Sequence, residues 1–412
     1  MNNFSKSVWF TLTLAVAFLL LTWLWASLAP RGISPEASRY FTLDFIRRAR
    51  GYQETRYLTY GLAFLLEVLV LTLLSFTPLG KGLENLVQSL AGGRPYREVF
   101  YFLLIIFGGA ALLSLPLSYY RGFILEHAYG LSNQSTLDWL KDYFLSTAIS
   151  LALTVPTLAG FYFLVRRFPQ SWPWLVAGIY TAGMALLIML SPLLIDPLFY
   201  HFRPVQDPQI RQQVLDLAAK AGIPVEEVLE MDASRRTNKV NAYFTGLGQT
   251  KRIVLYDNLL KKYPPTEVKL VVAHEMGHWR YAHIWKGLLL GGLGTLFTLL
   301  LLQKVLAGMK GFPSLHPVLR PSGLLLIFLF LTLWLFISQP FQNAVSRSFE
   351  RQADATALTL TGDWAGQIAL EKRLAEHNLA DVDPHPFIRW LAFTHPSAVE
   401  RIEAAQETAG RS

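Results

Sequence analysis

Hydrophobic residues follow two regimes along this chain. In seven stretches they run on with almost no polar interruption: Val8 to Leu28, Tyr57 to Pro78, Val99 to Tyr119, Tyr143 to Val165, Trp174 to Ile195, Ile284 to Leu306, and Pro321 to Val345. About 20 apolar residues in helix cross the hydrocarbon core of a bilayer, so each run predicts a membrane span. One charge lies deep within a run, Glu67. A carboxylate in lipid is expensive, so Glu67 is expected to face protein or water, either lining a polar cavity or held by a structural hydrogen bond.

Between the fifth and sixth runs the pattern becomes amphipathic. Asp207 to Ala221 reads as a helix, with Ile210, Val214, Leu215 and Leu217 apolar. Val228 to Met231, Lys239 to Phe244 and Arg252 to Tyr256 read as strands, with Gly246-Leu247-Gly248 between the last two. Pro264-Pro265-Thr266-Glu267 is a start signal, Thr266 its cap, for a helix from about Glu267 to Trp285. Four regions follow: five spans in 1–195, a soluble insertion in 196–283, two spans in 284–345, and a C-terminal helical segment in 346–412.

Composition supports a polytopic membrane protein. Hydrophobic residues make up 52% and charged residues 16%. With no cysteine, disulfides, thiolate metal sites and cysteine nucleophiles are excluded, so any metal is held by His and carboxylate. With seven spans, 28 of the 37 Lys and Arg fall on one side of the membrane and 9 on the other. Without the 196–286 loop the difference is still 15 to 9. The richer side, which carries the insertion and the C-terminal tail, is expected to be cytoplasmic and the N-terminus outside. The first run is expected to be a retained anchor. Its core exceeds the 7–15 residues of a signal peptide, and cleavage would put Arg39, Arg47, Arg48, Arg50 and Arg56 on the outside. The net charge of +8 reads as contact with anionic lipid headgroups, not nucleic acid.

The chemistry concentrates in Val272-Ala273-His274-Glu275-Met276-Gly277-His278-Trp279. Residues four apart share a helix face, so His274 and His278 can bind one metal ion side by side. Two imidazoles and a carboxylate suit zinc and leave a position for water, whose pKa the metal lowers. Glu275 follows the first ligand and can take a proton from that water. His283 is not expected to be a third ligand. On a continuous helix it lies about 140° round from His278, and reads as a polar residue near the membrane end.

After the last run comes Ser346-Arg347-Ser348-Phe349-Glu350-Arg351-Gln352-Ala353-Asp354. Its two carboxylates share a helix face on the same membrane side as the histidines. Glu350 can be the third ligand, while Asp354 accepts the free N–H of a ligand histidine and fixes its tautomer. Asn241-Ala242-Tyr243-Phe244 is the candidate edge strand on which an extended substrate could pair.

The pairing of these two motifs resembles the type I CAAX prenyl proteases, integral-membrane zinc peptidases. Further segments agree: Asn241 to Phe244, Lys251 to Asp257, Thr394-His395-Pro396-Ser397 with Glu400-Arg401-Ile402, and Ile124 to Leu131. The resemblance implies seven transmembrane helices around an internal water-filled chamber, with a small α+β zinc metallopeptidase domain at its cytoplasmic end. It implies one Zn2+ per chain on His274, His278 and Glu350, Glu275 as general base and Asp354 behind the ligands. Asn241, with Ala242 and Tyr243, would hold substrate backbone. His395 and Arg401 would stand near the zinc, where a cation or N–H donor stabilises an oxyanion. The expected activity is endoproteolysis of peptides or lipidated proteins, such as prenylated CAAX motifs. Broad-specificity membrane quality-control metallopeptidases share the motif but have fewer spans. A transporter with a structural metal site would show repeated halves, and none is evident.

Overall fold

The computed structural model describes residues 2–223, 227–245, 252–308 and 321–410. Gly246-Leu247-Gly248 and Lys251 lie outside them. Among the described residues, seven helices are long and apolar enough to cross a membrane: Asn3–Leu28, Leu43–Phe76, Pro95–Ala128, Thr136–Arg167, Trp172–Leu198, His283–Ala307 and Pro321–Thr361. Each contains one expected span, apart from the last residues of the second, which end at Phe76 before a new helix starts at Pro78. Several extend well beyond the apolar run because their polar ends are capped. Thr42 accepts from the N–H of Phe45, and Ser135 from that of Asp138. Glu67 accepts a hydrogen bond from Thr332 of the seventh spanning helix at 2.8 Å.

The soluble insertion holds a four-stranded sheet of β1 (Phe202–Pro204), β2 (Glu227–Met231), β3 (Ala242–Thr245) and β4 (Arg252–Tyr256), in the order β1-β2-β4-β3. β2 and β4 run parallel at its centre, while β1 and β3 are antiparallel edges. β1 was absent from the pattern: three residues ending in proline carry no alternation. Lys239 to Asn241, expected in β3, precede it instead, tied down by Asn378 and Asn258. The amphipathic helix Pro208–Ala221 is capped by Asp207 and packs Ile210, Val214 and Leu217 into the sheet's core.

The motif helix (Pro265–Arg280) buries Val268, Leu270, Val272, Ala273 and Met276 in that same core. It starts at Pro265, so Thr266 is inside the first turn and does not cap it. It also ends earlier than expected. Ala282 is left-handed, at φ 53°, and a new helix begins at His283. No glycine or proline marks this break.

The seventh spanning helix runs 41 residues to Thr361, four turns beyond its apolar part, and carries Glu350 and Asp354. It reaches both cores: Leu325 and Phe330 belong to the membrane core, Ala357 to the core beneath the sheet. The helices Trp364–Asn378, Pro386–Ala392 and Ala398–Ala409 fold back over its end. A cavity of about 710 Å³ opens between the spans and the motif helix, bounded by Trp23, Tyr60 and Gln339 on one side and His274 and Glu275 on the other.

Candidate active site

His274 and His278 project from one face of the motif helix, their Nε2 atoms 3.2 Å apart. Glu350 meets them from the seventh spanning helix, with Oε2 3.3 Å from His274 Nε2 and Oε1 3.5 Å from His278 Nε2. Ligand atoms of the three lie within 4.8 Å of one another. This approach depends on Gly277. A Cβ there would sit 2.7 Å from the Ala353 Cα, so the helices touch backbone to backbone. Ala273, Ala353 and Ala357 are likewise small and buried.

Each histidine has a different partner behind it. His274 Nδ1 faces Asp354 Oδ1 at 2.8 Å. Arg401 holds that carboxylate from the other side, Nε to Oδ2 at 2.9 Å, and pairs with Glu371 at 2.9 Å. His278 Nδ1 faces His283 Nδ1 at 3.0 Å, and His283 Nε2 faces Gln352 Oε1 at 3.3 Å. With Gln352 in this orientation its amide oxygen accepts from His283 Nε2, which leaves His283 Nδ1 as the acceptor. His278 then donates from Nδ1, which leaves its Nε2 lone pair facing Glu350. The His283 ring stacks on Phe349 at 4.2 Å. The expectation that His283 is merely a polar residue at the membrane end is therefore corrected. Its angle was reckoned along a continuous helix, and the break at Ala282 turns the ring back onto His278.

Electrostatics follow these partners. Burial opposes a charged His274, but Asp354 and Glu350 outweigh it and push the imidazole up to about 10 among the protein groups alone. Burial and the charge of His274 hold His278 down, to about 4. Glu275 is half-buried, and desolvation pushes it up to about 7, despite the pull of His274 and the Phe244 N–H. That N–H donates to Glu275 Oε2 at 3.2 Å.

Phe244 thus points its N–H away from β4, toward the edge of β3 that no described strand covers. Ala242 has the same parity and also presents its backbone to that edge. Asn241 and Ala242 line the cavity. Tyr243 differs from expectation: its side chain packs on the opposite face of the sheet, with its hydroxyl 3.8 Å from Met231 Sδ. Alternation along the strand sends it there. His395 stands on the open side of the site, Nε2 3.3 Å from Glu350 Oε1, with Thr394 Oγ1 against its Nδ1 at 2.8 Å. Arg401 lies behind His274. Its guanidinium is shared between the carboxylates of Asp354 and Glu371.

The donor set fits a metal ion. Two imidazole lone pairs and a carboxylate converge, and the buried Glu350 Oε2, although 3.3 Å from His274 Nε2, has no hydrogen-bond partner among the described residues. The backbone of Phe244, Gln352 and Glu371 are parts that sequence reasoning missed. Phe244 and Gln352 lay within segments already singled out; nothing local marked Glu371.

The chain is similar to known proteins. Residues 204–409 match peptidase family M48, and residues 29–201 match the CAAX prenyl protease N-terminal region of five membrane helices. An uncharacterized metalloprotease of Bacillus subtilis is 30% identical over 388 residues, 92% of this chain and 89% of that protein. CAAX prenyl protease 1 of Saccharomyces cerevisiae is 30% identical over 321 residues, 74% of this chain and 71% of that protein. The crystal structure of S. mikatae Ste24p has the same fold, with a TM-score of 0.81 at 24% identity over 97% of each chain.

Proposed function

The chain belongs to peptidase family M48, and on that premise we propose a zinc endopeptidase that cuts near the C-terminus of lipidated, CAAX-type substrates. The observation that carries the metal reading is the convergence of His274, His278 and Glu350. Tetrahedral zinc with bonds of about 2.0–2.1 Å places its ligand atoms roughly 3.3–3.4 Å apart; the two imidazole Nε2 atoms here are 3.2 Å apart, and each has a Glu350 oxygen close by, Oε2 at 3.3 Å from His274 and Oε1 at 3.5 Å from His278. When bound, zinc supplies a Lewis acid that activates water and polarises the scissile carbonyl.

The protein groups do the rest. Glu275, its carboxylate oriented by the Phe244 N–H, takes the proton of the attacking water and passes it to the leaving amine. Burial lifts its pKa toward neutrality, which suits a group that must both accept and return a proton. Asp354 keeps the His274 Nδ1 proton in place, and Arg401 keeps Asp354 in place. His395, half-exposed beside Glu350, is the side chain placed to donate to the developing oxyanion. The free edge of β3 aligns an extended peptide over Glu275.

The CAAX reading rests on relatives that bear that name and on a site at the end of a chamber within the spans. The excess of Lys and Arg on the same side supports a cytoplasmic site. The test is cleavage of a farnesylated Cys-a-a-X peptide beside its unmodified twin, with and without a zinc chelator. Chelator-sensitive cleavage of the farnesylated peptide alone is expected. Equal cleavage of both keeps the peptidase and removes the lipid preference.

A further inference from the structure

The cavity that reaches His274 and Glu275 also reaches two arginines that this chemistry does not use. Arg56 lies on the second spanning helix, and Arg121 on a π-helical turn, Tyr120–Ile124, in the third. Neither makes an ion pair with any carboxylate among the described residues. Other cations nearby are matched: Arg31 to Asp381 at 3.4 Å, Arg50 to Asp383 at 2.6 Å, Lys239 to Glu126 at 2.7 Å, and Arg401 to Glu371 at 2.9 Å. The lining carboxylates Asp381 and Glu371 are taken by those partners. Arg56 rests over the Tyr52 ring, 5.5 Å from its centroid, and the Tyr52 hydroxyl is already bonded to Glu126 at 2.5 Å.

Both arginines lie just beyond the apolar runs, at the polar ends of the second and third spanning helices, where they line the cavity. π-turns within α-helices are frequent at functional sites. Asn241 and Ala242, whose strand offers the free edge, line the same space. A peptide lying on that edge therefore shares the cavity with both guanidinium groups. We propose that Arg56 and Arg121 bind the C-terminal carboxylate of the substrate, and so set how many residues separate that terminus from the bond cut at Glu275. The guanidinium fork matches a carboxylate. This assignment rests on the peptidase reading.

The test uses full-length Glu275→Gln protein and two fluorescent peptides that differ only in ending as a free acid or an amide. The acid should bind on the order of 10-fold tighter or more, the usual worth of a charge-assisted hydrogen bond. The Arg56→Gln/Arg121→Gln double variant should bring the acid down to the level of the amide. Equal binding of acid and amide before substitution overturns the proposal. So does a loss shared equally by both peptides in the double variant, which marks a structural role. A lipid phosphate as occupant would show as phosphorus that copurifies with the protein and is lost with the arginines, with acid and amide bound alike; this too overturns it. Turnover by the protein with Glu275 intact separates the two readings. Chelator-sensitive cleavage with no acid preference removes the carboxylate site alone. Acid preference in binding without any turnover removes the peptidase reading and retains the anion site.

Discussion

The two imidazoles of the motif are chemically unequal, although they are four residues apart on one helix. His274 is backed by the anion Asp354 and is pushed up to about 10; His278 is backed by the neutral His283 and is held down to about 4. His283→Phe keeps the stack on Phe349 but removes the acceptor that orients His278. Metal affinity, measured by competition with a chelator, should fall about 10–100-fold. His283→Asn, which returns an acceptor near the same place, should recover part of it. Glu275→Gln should retain metal by elemental analysis while peptide turnover drops about 10²–10⁴-fold. At this scale much of the site was legible in the sequence. H-E-x-x-H and E-x-x-x-D each imply a shared helix face, and both pairs meet as that geometry requires. The roles of His283 and Arg401 were not legible, because one depends on a helix break and the other on two carboxylates from different helices.

Elements bring these side chains within bonding reach through one close crossing. Gly277→Ala sets two effects against each other. Helix propensity favours alanine by about 1 kcal/mol, while the new methyl meets the Ala353 backbone, which has no rotamer to yield. Overpacking of this kind costs about 1–3 kcal/mol, so the net effect should be a lower melting temperature together with weaker metal retention. Ala282 is the second critical point. A branched side chain is poorly accommodated at positive φ, so Ala282→Val should destabilise the junction and shift His283 away from His278. Loss of metal affinity at near-normal helicity by circular dichroism would report it. The spans were legible because uninterrupted apolar runs have one physical meaning in a bilayer. The short edge strand β1 and the stop at Ala282 were not, since neither carries a local signature and both are imposed by tertiary packing.

At the scale of the whole molecule, the seventh spanning helix enters two large buried cores, one among the spans and one beneath the sheet. A metal held jointly by the motif helix and this long helix ties them together. Chelation should therefore abolish turnover and also lower the thermal stability of the soluble part, by about 4 kcal/mol when free metal had stood at roughly 1,000 times its Kd. Far-ultraviolet helicity from the spans should persist, and returning zinc should restore both properties.

That long helix has one more consequence. Glu350 lies about 44 Å along it from Pro321, at 1.5 Å per residue. A rod embedded in lipid at one end and holding an ion at the other acts as a lever. Bilayers that are too thin or too thick change the tilt of their helices, and a swing of about 5° over that length displaces the tip by roughly 4 Å, more than the gap between neighbouring donors. Vesicles graded in acyl-chain length should therefore tune catalysis with the peptide, the metal and the pH held constant, which makes the thickness of the surrounding lipid a setting of the enzyme.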